Sequence, residues 1–255
     1  MSATDAIHAD DGYIDYRSAD GIALITLRRP AKRNALTAAL CDQLHAAWLR
    51  FQASPQDRVA VLAAEGDTFC AGADLRAPPP QFWRAMPAVA VTLDKPVIAA
   101  VQGAVVGGAV AMVTFCDLCV AAEDARFIYP EARVGVAQGM ISAITARIPH
   151  KIAMELMLLG EPIPARRAYE AGFVNRLVPA AEVLDTALAM AATLAKSAPL
   201  VLGLLKRLAD RTVPHSPAED ACALQAEVQT VLTSADAAEG LASFRDKRPP
   251  RFEGR

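Results

Sequence analysis

The sequence predicts an α/β fold, because short apolar strands alternate with helical segments over its first half. Residues 22–27 (IALITL) and 59–64 (VAVLAA) have the length and composition of buried strands. Between them, apolar side chains recur at the helical period, at Leu40, Leu44, Trp48 and Phe51. Alternation of this kind is typical of a sheet that packs against helices.

The other elements of the first half follow in chain order. Thr37 has the side chain of an N-cap just before the first helix. The prolines of 77–82 (APPPQF) indicate a loop. Residues 97–102 predict a strand, 107–115 a helix and 117–122 another strand.

The second half is mainly helical. We expect one last strand at 173–178, after a helix that ends near Gly172. Helices are expected at 140–147, 150–159, 165–171, 181–196, 199–212, 217–233 and 236–245.

Composition excludes several classes of protein. The chain has 255 residues and a formal charge of −2, without a basic stripe of the kind that binds nucleic acid. It has no apolar run long enough to span a membrane, and residues 1–12 are polar and acidic, unlike a secretory signal. Five scattered cysteines suit a reducing compartment. We therefore expect a cytoplasmic protein with one large core, or a core plus a small extension, that binds neither nucleic acid nor membrane.

Several catalytic and metal motifs do not occur in the sequence. There is no G-x-S-x-G, H-E-x-x-H, G-x-G-x-x-G or P-loop, which argues against serine hydrolases, zincins, dinucleotide enzymes and NTPases. Cys116 and Cys119 form a C-x-x-C pair, but no second Cys or His pair lies at a useful distance. We expect buried core thiols there and no metal site.

Three short segments concentrate the chemistry: 69–75 (FCAGADL), 99–117 (AAVQGAVVGGAVAMVTFCD) and 128–136 (IYPEARVGV). The first two each predict a strand, a glycine-marked turn and a helix. The turns at Ala73 and Gly108 can therefore direct free backbone N–H groups at one point, and two such donors facing one oxygen form an oxyanion hole. The alternative is that these glycines only permit tight turns and close packing of helix on strand.

In the order and spacing of these motifs, the chain resembles the enoyl-CoA hydratase/isomerase (crotonase) family, from RRPAKRNAL at 28–36 to FRDKRPPRF at 244–252. The resemblance implies a spiral of ββα units over residues 1–195 and a helical C-terminal region, 196–255, for trimer contacts. It implies an acyl-CoA thioester substrate, with no cofactor beyond the coenzyme A of that substrate. It also implies a homotrimer or a dimer of trimers.

The same resemblance assigns the candidate catalytic groups. In the family, the backbone N–H groups at the positions of Ala73 and Gly108 hold the thioester oxygen. Family hydratases carry two glutamates, and one of these matches Glu131 in the Pro130-Glu131 dipeptide. The other position is Ala111, so the second carboxylate is missing. Without the family, Glu131 could be an ordinary surface carboxylate or one paired with Arg133.

The resemblance also assigns contacts to coenzyme A. Lys32 and Arg33 are candidate phosphate partners, and Phe244 and Lys247 match a tail that approaches the nucleotide, often from a neighbouring subunit. The alternative for Lys247 is a solvated basic tail. The stretch that lines the adenine and pantetheine side corresponds to Ala71, Asp74, Leu75 and Arg76.

The acyl pocket departs from the family pattern. The segment after Glu131 is glycine-rich in many members but carries the bulky Met140, Ile141 and Ile144 here, and the loop from Leu75 to Pro96 is short. We expect a narrower or differently shaped pocket.

Four functions remain open from the sequence. The first is an enoyl-CoA isomerase that uses Glu131 alone, because Ala111 removes the hydratase pair. The second is a hydratase or related lyase whose second group comes from elsewhere. The third is another reaction of the family, such as C–C bond cleavage or thioester hydrolysis. The fourth is a catalytically weak acyl-CoA binder or scaffold, against which an intact Glu131 argues.

Overall fold

The computed structural model describes residues 12–137 and 139–255, which form two β-sheets covered by helices. The polar start, as far as residue 11, and Gln138 lie outside the described residues. The strands are β1 (Tyr13–Ala19), β2 (Ile22–Arg28), β3 (Val59–Ala64), β4 (Val97–Val101), β5 (Ala104–Val106), β6 (Leu118–Ala122), β7 (Arg126–Ile128), β8 (Ile163–Pro164) and β9 (Arg176–Val178). The helices are α1 (Ala38–Ala53), α2 (Gly108–Thr114), α3 (Glu131–Val134), α4 (His150–Leu159), α5 (Ala165–Glu170), α6 (Val183–Ala195), α7 (Pro199–Asp210), α8 (Pro217–Leu232) and α9 (Ala235–Arg245).

The larger sheet forms the centre of the core. Its strand order is β1-β2-β3-β4-β6-β9, with β1 antiparallel to β2 and every other pair parallel. The apolar runs of β3 and β4 are buried almost throughout, as expected of parallel strands covered on both faces. Helix α6 packs on this sheet with Ala187, Ala191 and Ala195, which lie four residues apart on one face.

The smaller sheet, β5-β7-β8, brings the glycine turns together. Strand β5 follows β4 through a tight turn at Gly103, where φ is +58° and a Cβ would lie 1.9 Å from the Asp67 carbonyl oxygen. Cys70 forms a single parallel bridge with Val105 of β5. The segment that leads to Ala73 therefore runs beside the strand that leads to Gly108.

A short helical turn, Phe82–Ala85, is fixed on α1. The indole Nε1 of Trp48 donates a hydrogen bond to the Ala85 carbonyl oxygen at 3.0 Å, and Trp48 is fully buried. Arg84 pairs with Asp42 of the same helix at 2.8 Å. Helix α1 thus determines where this turn lies.

Most of the predicted elements are confirmed. The strands at 22–27 and 59–64 are β2 and β3, and Thr37 caps α1 by accepting a hydrogen bond from the Leu40 N–H at 3.3 Å. The helices expected after residue 139 lie within about two residues of α4 to α9, although 140–146 is a 3₁₀ helix. The last strand, β9, starts only at Arg176.

One prediction about local structure was wrong, and another holds only in part. No helix follows 69–75; the chain forms single bridges at Cys70 and Ala73 and then a loop up to the turn at Phe82. The prolines at 78–80 explain this, because proline lacks the N–H that a helix needs and disfavours helical backbone in the residue before it. Cys119 is buried as expected, whereas Cys116 is only half-buried.

No single helix among the described residues is both long and apolar enough to span a membrane. One bent pair, Ala180–Ala195 with Pro199–Asp210 at an angle of 108°, meets these requirements of length and apolarity when the two parts are counted together.

Candidate active site

The first turn lies at Gly72 and Ala73. The Leu36 N–H donates to the Gly72 carbonyl oxygen at 2.8 Å, and the Asp74 N–H donates to the Leu36 carbonyl oxygen at 2.9 Å, so the turn is held on both sides. Gly72 has φ +84°, and a Cβ there would lie 2.7 Å from the Val106 carbonyl oxygen. The turn therefore requires glycine, and it leaves the Ala73 N–H without an acceptor among the described residues.

The second turn lies where β5 passes into α2. Gly107 is the N-cap residue, with φ +60°, and Gly108 is the first residue of the helix. Nothing in the described part of the chain accepts a hydrogen bond from the Gly108 N–H. The two turns adjoin, since a Cβ on Gly72 would lie 3.6 Å from the Gly108 nitrogen. Ala73 and Gly108 also line one cavity, so the two predicted donors lie side by side.

Glu131 lies in this cavity as well. It is the first residue of α3, directly after Pro130. Its Oε1 is 2.7 Å from the position that a Cβ would take on Gly107. A side chain at residue 107 would therefore displace the carboxylate, in addition to straining the backbone at its positive φ.

The carboxylate of Glu131 is poorly solvated. Its Oε2 is buried and has no hydrogen-bond partner within 12–137 and 139–255. Burial raises the pKa of Glu131 from its ordinary value of 4.5 to about 7, against a smaller lowering by its own backbone N–H. Arg133, which the sequence offered as an ion-pair partner, instead approaches Glu161 at 3.5 Å. A carboxyl group with this pKa can both accept and return a proton near neutral pH.

The position of the missing carboxylate faces the same cavity. Ala111 lies one turn after Gly108 on α2, is 1% exposed and lines the cavity together with Glu131. The cavity has a volume of about 150 Å³. Of the described residues that line it, Glu131 is the only one with a carboxylate, and Tyr129 is the only other titratable one. The remaining large lining side chains are apolar: Leu75, Phe82, Met86, Val106, Val134, Val136, Met140 and Ile141.

The loop that contains Lys32 and Arg33 lies against the first turn. The Ala71 N–H donates to the Arg33 carbonyl oxygen at 2.9 Å. Asn34 holds the loop in place, because its Nδ2 donates to the Thr68 carbonyl oxygen at 2.8 Å. The side chain of Arg33 is exposed and that of Lys32 is half-buried, both outside the cavity lining.

Asp74 holds the backbone of the first turn rather than lining the cavity. Its Oδ2 accepts a hydrogen bond from Arg29 at 2.9 Å, which lowers the pKa of Asp74, and its Oδ1 accepts one from the Arg76 N–H at 3.2 Å. Leu75 is 65% exposed and lines the cavity, whereas Arg76 is exposed and does not.

The predicted residues fall into two groups. Those brought together at the cavity are Ala71, Ala73, Leu75, Gly108 and Glu131. Phe244 and Lys247 lie at and beyond the end of α9, outside the cavity lining, and Phe244 is 86% exposed. Met140 and Ile141, two of the bulky residues in the segment after Glu131, line the cavity as expected. The third, Ile144, is buried and does not line it.

Sequence reasoning missed Gly107 and Phe82. Gly107 makes room for the Glu131 carboxylate, and its signal was the second glycine of the pair at 107–108. Phe82 was assigned to a loop, yet it is buried and lines the cavity. No motif marks it, because its contact with α2 joins residues far apart in the chain.

Comparisons with known proteins identify the family and the fold of the chain. The Enoyl-CoA hydratase/isomerase family model matches residues 17–255. Carnitinyl-CoA dehydratase from Escherichia coli K12 is 36% identical over 249 residues, which cover 91% of this chain and 94% of that protein. The crystal structure of enoyl-CoA hydratase from Mycobacterium tuberculosis H37Rv has a TM-score of 0.71 at 34% identity, covering 95% of this chain and 99% of that one. That of an enoyl-CoA hydratase from Polaromonas sp. JS666 has a TM-score of 0.72 at 30% identity, covering 95% and 100%.

These similarities extend over nearly the whole chain and include both sheets and the C-terminal helices. The α/β fold predicted from the alternation of strands and helices is confirmed, and it is the crotonase fold that the resemblance implied. The chain therefore belongs to the enoyl-CoA hydratase/isomerase (crotonase) family of acyl-CoA enzymes.

Proposed function

We propose that this protein isomerises the double bond of an enoyl-CoA thioester, with Glu131 as the only acid and base. The thioester oxygen binds the N–H groups of Ala73 and Gly108. The observation that carries this proposal is one buried, unpartnered carboxylate oxygen in the same cavity as two N–H groups that lack acceptors among the described residues. Coenzyme A enters as part of the substrate.

The reaction transfers one proton between two carbons. The Glu131 carboxylate takes a proton from C2 of a 3-enoyl thioester, and the electron pair of that C–H bond moves towards the thioester oxygen. The two N–H groups stabilise the negative charge on that oxygen. The protonated Glu131 then returns the proton at C4, which leaves the double bond between C2 and C3.

A single carboxylate is sufficient for this shuttle, because the group that accepts the proton also returns it. A pKa of about 7 suits both steps, since neither protonation state of Glu131 is then scarce at neutral pH. Ala111 supports the same interpretation, because the second carboxylate of the family hydratases has no counterpart there.

Hydration or dehydration is the second candidate, and the names of the relatives favour it: an enoyl-CoA hydratase and a carnitinyl-CoA dehydratase are among them. With one carboxylate, Glu131 would take a proton from water while the hydroxide adds to C3, and would then give that proton to C2. Apart from Glu131, the described lining offers only the Tyr129 hydroxyl as a polar side-chain group that could orient the water, and no second carboxylate.

Product analysis distinguishes these candidates. We expect 3-enoyl-CoA substrates to be converted into 2-enoyl-CoA of unchanged mass, measured by chromatography and mass spectrometry. Gain of one water by 2-enoyl-CoA, without isomerisation, would contradict the isomerase and favour the hydratase. Release of free coenzyme A would indicate thioester hydrolysis instead.

Replacement of Glu131 by Gln keeps the shape of the side chain and removes the titratable group. We expect kcat to fall by roughly 10²–10⁴, the usual contribution of general acid–base catalysis. In the wild type, kcat/KM should rise as the pH increases through about 7, because the free enzyme must carry the ionised base. Glu161→Gln is the matched control, because Glu161 is an exposed glutamate paired with Arg133. It should leave kcat and the pH dependence of kcat/KM unchanged.

The same variant should alter the dependence of stability on pH. The pKa of Glu131 is about 7 in the folded protein and lies near the ordinary 4.5 in the unfolded chain. The folded state therefore binds more protons between these values, and the free energy of unfolding should fall as the pH rises from about 4.5 to 7. Glu131→Gln should remove this fall in thermal or urea unfolding. An unaltered pH dependence together with near wild-type turnover would exclude Glu131 as the base.

Replacement of Ala73 by Pro deletes one proposed oxyanion donor, because proline has no N–H. The hydrogen bonds that hold this turn use the N–H groups of Leu36 and Asp74, so they can persist in the variant. We expect kcat to fall by roughly 10²–10³, with a much smaller effect on coenzyme A affinity. Ala73→Ser retains the N–H and is the control. Ordinary kcat in a variant shown to be folded by circular dichroism would mean that the turn is structural.

We propose that coenzyme A lies along the loop next to the first turn, with Lys32 and Arg33 near its phosphates. Phe244 and Lys247 would reach the nucleotide of a neighbouring subunit, since they lie away from the cavity of their own chain. Ala71, Leu75 and Arg76 would flank the adenine and pantetheine, and Asp74, already bound to Arg29, would position this stretch.

We also propose that residues 1–195 form the catalytic core and 196–255 the region of subunit contact, in a homotrimer or a dimer of trimers. Helices α7 to α9 expose large apolar side chains, which include Leu200 at 87%, Leu204, Leu205, Leu208, Leu224, Val228, Val231, Leu232 and Leu241. Extended exposed apolar surface of this kind is typical of a subunit interface.

Light scattering tests this assembly. We expect the mass of a trimer or a hexamer at micromolar concentration. The double variant Leu204→Asp and Leu208→Asp, which charges one face of α7, should dissociate it. Leu49→Asp is the control, because Leu49 is equally exposed but lies on α1. A stable wild-type monomer would contradict the assembly and any contact of Lys247 with a neighbouring subunit's ligand.

A further inference from the structure

The ring of Phe82 lies directly against the second turn of the site. A Cβ on Gly108 would be 2.3 Å from Cε1 and 2.4 Å from Cζ of this ring, so the ring touches the backbone of a proposed oxyanion donor. Gly108 does not need glycine for its φ; it needs glycine because Phe82 occupies the space. Phe82 is only 3% exposed and lines the cavity.

The backbone that carries Phe82 is held from behind. Phe82 begins the helical turn whose last residue, Ala85, accepts the hydrogen bond from the buried Trp48 indole at 3.0 Å. The ion pair between Arg84 and Asp42 is a second attachment to α1. The ring therefore cannot leave the cavity by a simple shift of its loop without breaking these contacts.

The space that remains beside Phe82 is small. A volume of about 150 Å³ must hold the reacting carbons as well as the rest of the acyl chain, because Ala73, Gly108 and Glu131 line the same cavity. A cavity of about this volume in another protein holds a benzene molecule, which has roughly six carbons. Met86, Met140 and Ile141 also line this space.

We propose that Phe82 determines the acyl length that this enzyme accepts, and that it limits the substrate to uncharged acyl groups of about six carbons or fewer. This inference rests on the proposed function, since it concerns the acyl group of the same thioester. Trp48 is a positioning residue in this account, because it acts through Ala85 on the turn that carries Phe82. Longer chains must displace the Phe82 ring or turn out of the cavity.

Binding of saturated acyl-CoA thioesters tests the proposal independently of turnover, because these compounds can be neither isomerised nor hydrated. Calorimetry would use chains of two, four, six, eight and ten carbons. Each methylene buried in an apolar site raises affinity by roughly fourfold. For the wild type we expect affinity to rise at about this rate up to six carbons and then to level off or fall.

Two substitutions of Phe82 should enlarge the acyl cavity by different amounts. In Phe82→Ala we expect acyl-CoA affinity to keep rising for at least two further methylenes, and in Phe82→Leu for fewer. The leucine variant also serves as the test if the alanine variant does not fold. The kcat/KM values for 3-enoyl-CoA substrates should shift to longer chains in parallel. Trp83→Phe is the matched control, since Trp83 is a buried aromatic residue on the same turn that does not line the cavity.

Three results would overturn the proposal that Phe82 limits acyl length. The first is wild-type affinity that increases steadily through ten carbons. The second is that folded Phe82 variants level off at the same chain length as the wild type. Equal shifts in Phe82→Leu and Trp83→Phe would also overturn it, because they would reflect general loosening of the turn. Binding of short acyl-CoA without any turnover would contradict the proposed function alone, whereas failure of every acyl-CoA to bind would overturn both.

Discussion

The proximity of the Glu131 carboxylate to the Gly107 backbone is the constraint on which the rest of the site depends. The Oε1 atom of Glu131 lies 2.7 Å from the position that a Cβ would take on residue 107. This residue, in the turn before α2, must therefore be glycine. The same turn presents the Gly108 N–H to the cavity. Closeness to backbone and apolar side chains also removes water from Oε2, and this burial raises the pKa of Glu131 to about 7. One packing arrangement thus couples the proposed base to a proposed oxyanion donor.

The two sheets maintain this arrangement from a distance. The parallel strands β3, β4 and β6 each end near a connection to the smaller sheet, and the bridge between Cys70 and Val105 sets the first turn beside the second. Arg29 and Asp74 fix the neighbouring loop through a hydrogen bond at 2.9 Å. Little of the site therefore depends on flexible side chains, since two of its three proposed groups are backbone N–H groups held by the core.

The sequence was sufficient to predict the parts with a local signal. Thr37, the period of α1 and the apolar runs of β2 and β3 are local patterns, and Ala73, Gly108 and Glu131 lie in recognisable motifs. The three-residue strands β5 and β7 have no such signal, because they are too short to show a period. Phe82 was missed for a different reason. The turn that carries it is held by the hydrogen bond between Trp48 and Ala85, two residues that lie 37 positions apart in the chain. Contacts of this kind depend on tertiary packing, not on local propensity.

The central claim is that Glu131 is a desolvated carboxyl group poised to take and return a proton. Its ionisation can be followed directly by ¹³C NMR of the glutamate side-chain carboxyl carbons across a pH titration, with Glu131→Gln used to assign the resonance. The account predicts that this carboxyl group titrates with a pKa of about 7 in the folded protein. A pKa near the ordinary 4.5 would mean that the carboxylate is solvated, and would contradict the account.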